Sequence, residues 1–223
     1  MAFHFSPKVV TDGLVFCMDP VNVKSYPGYT DVYDIAKIHS GTLNNGVGYT
    51  SPFFTFDGVD DDIDFGTVDL TAGADLTFDF WLNIGSSQGY YADILDYDHV
   101  NGGFVLQQYY PNSVNYWYFA WYTGPYPWSY EFFYLTLPLN QDFHLCITKS
   151  GGTFTSYING VYNTSASGTS TITATGKSMK IGDLVGGGRN FNGKISATKI
   201  YNRALSSGEV SQNYNSVKKR FGL

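Results

Sequence analysis

Glutamate is nearly missing from this chain. Two stand in 223 residues, Glu131 and Glu209, against seventeen aspartates. Hydrolysis of a glycosidic bond needs two carboxylates about 5 to 9.5 Å apart, one of them held protonated as the acid. Neither Glu lies in a period-two carboxylate pattern, and Asp93 and Asp96, three apart, are expected on opposite faces of a strand. The four histidines (His4, His39, His99, His144) are scattered and no Gly-x-Ser-x-Gly turn occurs, so a nucleophilic triad is not expected either. Cysteine is limited to Cys17 and Cys146, each inside an apolar run, which reads as buried free thiols; pairing would require neighbouring strands. No apolar run approaches the roughly 18 residues of a membrane span. The one dense basic cluster, Lys218-Lys219-Arg220, leaves no case for nucleic acid. The first residues lack a charged stretch followed by an apolar one, so a signal peptide is not expected.

Aromatic residues, by contrast, make up 18% of the chain, with 25 glycines and only 14% charged residues. That balance points to a β-rich body. Short strands with turn signals between them are expected from Gly13 to Met18, at Phe53–Phe56, Ile63–Phe65, Leu76–Leu82, Ala92–Leu95, Gly103–Gln108, Asn115–Tyr122, Ser129–Leu135, Phe143–Thr148, Thr153–Asn159 and Ser178–Ile181. Leu76, Phe78, Phe80 and Leu82 alternate with Thr77, Asp79 and Trp81. Thr164–Lys177 reads as an exposed loop or edge strand. With no composition break, the expectation is one all-β domain over residues 1–223: a jelly-roll β-sandwich of two antiparallel sheets with a short C-terminal helix. Charge is uneven along it, −12 over residues 1–111 and +6 over residues 112–223. Interleaved strands would mix these charges; segregated ones would make a dipolar surface suited to head-to-tail stacking.

The chain closes with Asn192-Gly193, a hairpin-type dipeptide, then a strand in which Ile195 and Ala197 are expected on one buried face. Ser206-Ser207-Gly208-Glu209 is a capping box, with Val210, Tyr214 and Val217 on one face of the helix it opens. Before it, in order, come Gly13–Asp19, Tyr33-Asp34, Gly41–Gly46, Phe56–Asp61, Leu76–Trp81, Tyr157–Gly160 and Ile181-Gly182. This ordered set resembles the laminin-G-like domains of the concanavalin A-like lectin/glucanase superfamily, in the variant common in tailed-phage virion proteins, particularly of marine and cyanobacterial phages. The sequence departs from it at Tyr33, where Trp is frequent, and in Asp31–Ile38, which lacks the usual Ser-Gly-Asn-Gly loop. The resemblance implies a non-enzymatic virion structural protein, made in the host cytoplasm and carried on the virion surface as a capsid-decorating or head-fibre protein. Its partners would be other capsid or tail proteins, or further copies of itself. The alternative is a glycan- or receptor-binding adhesin of a tail or fibre, with a cell-surface glycan as partner; a carbohydrate-active enzyme ranks third.

Two sets of residues are candidates for a site. From Tyr109 to Leu135, 14 of 27 residues are Phe, Trp or Tyr, and alternation can bury only about half of them. Trp117, Trp121, Trp128 and Tyr116 are taken as a carbohydrate or interface surface, with an aromatic core as the plain alternative. Asp57, Asp60, Asp61, Asp62 and Asp64 crowd eight residues. They read either as a solvated turn or as hard oxygen ligands for calcium, the one cofactor candidate. Laminin-G-like domains often carry calcium at one rim, which implies Asp60 and Asp61 as first ligands.

Overall fold

The computed structural model describes residues 7–36, 39–70, 75–109, 114–122, 130–168 and 176–223. In chain order the strands are β1 (Leu14–Met18), β2 (Asp31–Tyr33), β3 (Ser40–Asn44), β4 (Gly48–Thr50), β5 (Phe53–Asp57) and β6 (Asp62–Val68). Then come β7 (Leu76–Ile84), β8 (Asp93–Tyr97), β9 (Phe104–Gln108), β10 (Tyr116–Tyr122) and β11 (Tyr130–Thr136). The last are β12 (Phe143–Ser150), β13 (Thr153–Ile158), β14 (Val161–Ser167), β15 (Lys177–Ile181) and β16 (Asn192–Tyr201), followed by the helix α1 (Ser207–Val217).

They form two antiparallel eight-stranded sheets. Sheet one runs β14-β13-β12-β7-β16-β5-β4, with β1 also on β16: β5 pairs with the first half of β16 and β1 with the second. Sheet two runs β11-β10-β9-β8-β15-β6-β3-β2. The jelly-roll sandwich and its terminal helix are therefore as the turn and strand signals indicated. Strands β2 and β4 are three residues each and carry too little alternation to be read from sequence. Of the Ser/Thr-rich stretch Thr164–Lys177, Thr164–Ser167 belong to β14, an edge strand of sheet one, and residues 169–175 lie outside the described residues.

Between the sheets lies one apolar layer. Phe78 meets Phe104 at 4.9 Å and Phe119 at 4.7 Å, and Trp121 stacks on Phe154 at 4.1 Å, so rings of opposite sheets interlock. Burying each such side chain contributes about 1.5–3 kcal/mol.

The outer face of sheet one is also buried, because α1 and the 3₁₀ turn after it lie across it. Trp81 stacks on Phe221 at 3.9 Å and on Tyr214 at 5.8 Å. Under α1, Asp79 pairs with Lys199 Nζ (2.9 Å) and His144 Nε2 (3.1 Å) and accepts from Asn213 Nδ2 (3.0 Å). Asn213 also bonds Tyr201 and, through Oδ1, the Val10 amide, which ties helix and N-terminal arm to the sheet. The capping box forms as its spacing required: Ser206 Oγ accepts from Glu209 N and the Glu209 carboxylate accepts from Ser206 N. Arg203 and the Ser206 amide hold the Glu209 carboxyl down at about 2.

One strand differs from its sequence reading. A bulge between Ile195 and Thr198 adds a residue to β16 and reverses the alternation. Ile195 points into the central layer, whereas Ala197 packs on the other side with Trp81 and Phe221. Cys17 and Cys146 are both free and buried. They lie on β1 and β12, separated by β16 and β7, so about 14 Å of strand spacing excludes a disulfide. Burial pushes the Cys17 thiol up to about 12.

Candidate binding face

Directly opposed residues of an antiparallel pair point to the same side of a sheet. In sheet two this register draws one continuous row on the outer face: Thr42, Asp64, Lys180, Asp96, Val105, Ala120, Phe132. A second row runs Asp93, Gln107, Tyr118, Tyr134. The face thus passes from charged residues on β6 and β15, through buried polar groups on β8, to an aromatic bank on β9–β11.

The charged half is a groove of about 640 Å³, lined by Asn45, Asp60, Asp62, Asp64, Lys180 and Asp183 among others. Asp62 accepts from Asn44 Nδ2 (2.9 Å) and from Lys180 Nζ (3.1 Å). The Asp183 carboxylate accepts from the amides of Leu184, Gly188 and Arg189, which shapes the glycine-rich turn 186–188 into the far wall. Gly186, Gly187 and Gly188 all have φ between 87° and 109°, the left-handed region in which a side chain would be strained.

That turn is held down on β8. Asp96 Oδ2 accepts from Val185 N (2.8 Å), and Asp93 N donates to Arg189 O (2.8 Å). Arg189 Nη1 lies 3.3 Å from His99 Nε2, and an arginine can only donate, so Nε2 is the acceptor. His99 Nδ1 therefore carries the proton and donates it to Asp96 Oδ1 at 2.6 Å. Here the structure corrects the sequence reading of Asp93 and Asp96: a bulge between Asp93 and Leu95 puts both carboxylates on one face. Asp93, Asp96 and His99 ligand atoms lie within 4.8 Å of one another, close enough for a metal. Asp96 and His99 are hydrogen-bonded to each other and to Val185 and Arg189 of the glycine-rich turn. Both aspartates are fully buried, and burial, reinforced by Asp96, pushes the Asp93 carboxyl well up.

The aromatic block divides by parity. Trp117, Phe119 and Trp121 point into the central layer, with Trp117 at 0% and Trp121 at 1% exposure. This corrects the expectation that these two tryptophans form a carbohydrate or interface surface: Phe154 of β13 stacks on Trp121, and Phe191, just before β16, packs edge-on against Trp117. Trp128 lies outside the described residues. Tyr116 does stand on the outer face, half-buried. It stacks on Tyr134 at 5.6 Å with ring planes 7° apart. Tyr109, Tyr118 and Phe132 surround that pair edge-on or tilted, and Tyr130 and Tyr134 remain 46% and 39% exposed. The Tyr118 hydroxyl bonds Gln107, whose amide donates to Asp93 Oδ1 at 2.5 Å, so the bank is anchored to the polar centre.

At the rim, the Asp57, Asp60 and Asp61 carboxylates converge within 4.8 Å. Asp61 Oδ2 accepts from Asp57 N (2.9 Å), while its buried Oδ1 has no hydrogen-bond partner. Burial raises the Asp61 carboxyl. The donors suit calcium in kind, and they supply three of the six to eight oxygens it takes.

Residues 57–211 match the family model described as the concanavalin A-like lectin/glucanases superfamily. No curated protein matches the chain. Among solved structures, the botulinum neurotoxin serotype D binding domain is 15% identical with a TM-score of 0.69, over 92% of this chain and 52% of that one. The botulinum neurotoxin DC binding domain in complex with SialylT is 14% identical with a TM-score of 0.68, over 93% and 52%. A botulinum neurotoxin type C structure, described in terms of interaction with two ganglioside molecules, is 14% identical with a TM-score of 0.72, over 93% and 52%. This chain spans about half the length of each, and at such identity the likeness is one of fold. The family match covers more than half of the sequence: the chain belongs to the concanavalin A-like lectin/glucanase superfamily.

Proposed function

We propose that this member of the superfamily is a glycan-binding module that acts without catalysis, and that the outer face of sheet two takes the sugar. The carrying observation is the tyrosine bank. Tyr116, Tyr130 and Tyr134 offer partly exposed rings on rigid strands, and flat rings of this kind stack on the C–H faces of pyranoses. Polar groups that can bond sugar hydroxyls line the groove on the same face. The toxin structures of the same fold, one in complex with SialylT and one described with gangliosides, are consistent with a sugar-binding use of the scaffold. Asp93 and Asp96, whose carboxylates lie within 4.8 Å of each other, are sealed from solvent, which favours binding over cleavage.

The sequence resemblance adds a proposed setting, the surface of a tailed-phage virion, where the module would serve as an adhesin or as a capsid-decorating or head-fibre protein. Immunogold labelling of particles would place it on head or tail, and absence from particles would end that proposal. Calcium at the rim would be held by Asp57, Asp60 and Asp61.

A glycan array tests the binding itself. Tyr134→Ala should weaken retention about ten-fold, some 1.4 kcal/mol, in a protein that remains folded. A wild-type protein that retains no glycan, or a variant that binds equally well, would refute the assignment.

A further inference from the structure

We propose that the groove beside the bank selects a glycan unit carrying a free, positively charged amine and rejects acidic sugars. The inference rests on the glycan-binding reading above and adds the chemical class of the ligand.

Among the described residues four carboxylates line the groove, from Asp60, Asp62, Asp64 and Asp183, against one cation, Lys180. Their assignments are unequal. Lys180 is committed to Asp62 at 3.1 Å, with both side chains largely buried, so it neutralises that acid and has little charge left for an incoming anion. Asp183 spends its oxygens on three backbone amides of the turn. Among the described residues the Asp64 carboxylate accepts only the Gly66 amide, through Oδ1 (2.7 Å), and Asp60 is exposed. The groove is therefore left with net negative charge beside a surface built for sugar rings. A carboxylate- or sulfate-bearing sugar placed there meets like charges within a Debye length of about 8–10 Å. An ammonium meets two under-used carboxylates, which is where charge complementarity produces selectivity. The geometry also sets a scale: β15 and β10 are three strand spacings apart, about 14 Å, so an oligosaccharide of a few units reaches from groove to tyrosine bank.

Binding of three oligosaccharides of equal length tests this: a glucosamine tetramer, its N-acetylated form and a galacturonate tetramer. The measurement is made with chelator present, at mildly acidic pH where the amine is charged and ordinary aspartates remain ionised. The glucosamine tetramer should bind at least ten-fold tighter than the acetylated one, with a preference that shrinks as salt rises, and the galacturonate should bind weakest. Asp64→Asn should reduce the preference for the amine, and Lys180→Gln should increase it; opposite shifts of this kind do not come from general damage to the fold. Tighter binding of the acetylated or the acidic tetramer would overturn the inference and leave the glycan-binding reading standing. Failure to bind any of the three while other glycans on an array are retained would overturn the inference alone, and retention of no glycan at all would overturn both.

Discussion

Replacing Asp79 by alanine removes the centre of the network beneath α1. Lys199 would keep its ammonium in a site 3% exposed, with its counter-charge gone. Deleting one partner of a buried ion pair costs about 3–5 kcal/mol, because the remaining charge is stranded in a low-dielectric site. For a chain of this size each kcal/mol lowers the melting temperature by about 2–4 °C, so the expected drop is about 6 to 20 °C by calorimetry. The effect should depend on pH. Burial alone would raise the Asp79 carboxyl, yet Lys199 and His144 outweigh it and hold it well below its ordinary value. A carboxyl lowered on folding adds stability above its unfolded value near pH 4, and that stability fades as pH falls through the lowered folded value. Wild type and Asp79→Ala should therefore converge in stability as the pH is lowered. The double variant Asp79→Leu with Lys199→Met removes both charges of the Asp79–Lys199 pair and should recover much of the loss. A loss under about 1 kcal/mol in the single variant, or a double variant no better than the single, would refute this account of the network.

Trp121→Ala should cost about 3–5 kcal/mol in chemical denaturation while the folded protein keeps its glycan affinity, the reverse of Tyr134→Ala; a fully stable Trp121→Ala protein that had lost binding would return that tryptophan to the surface. Calcium should raise the melting temperature, reversibly with chelator, by an amount equivalent to about 2.7 kcal/mol at 100 times its dissociation constant, and Asp60→Asn should abolish the shift. No calcium-dependent shift in the wild type would remove the rim site. Both thiols should resist a thiol-specific reagent at mildly alkaline pH until the protein unfolds, since burial raises Cys17 and Cys146; rapid labelling of the native protein would contradict their placement.

Local patterns were legible in the sequence wherever the forces that fix them are local. The alternation of β7 and the capping box at Ser206 and Glu209 each depend on neighbours within a few residues, and both stand as read. The sandwich itself followed from many short strands, one terminal helix and an ordered motif series. Strand alternation likewise showed that only about half of the aromatic block can be core. It could not show which face is core, because both are aromatic and hydrophobicity does not separate them. Phe78 of β7, Phe154 of β13 and Phe191 decided that by packing on Phe119, Trp121 and Trp117, leaving the tyrosines to form the outer bank. Two bulges decided the rest. One brings Asp93 and Asp96 together under the glycine-rich turn, and the other sends Ala197 away from Ile195. A bulge is a mismatch between a strand and its partner, and the partner lies far off in sequence, so only the folded sheet reveals which side a residue faces.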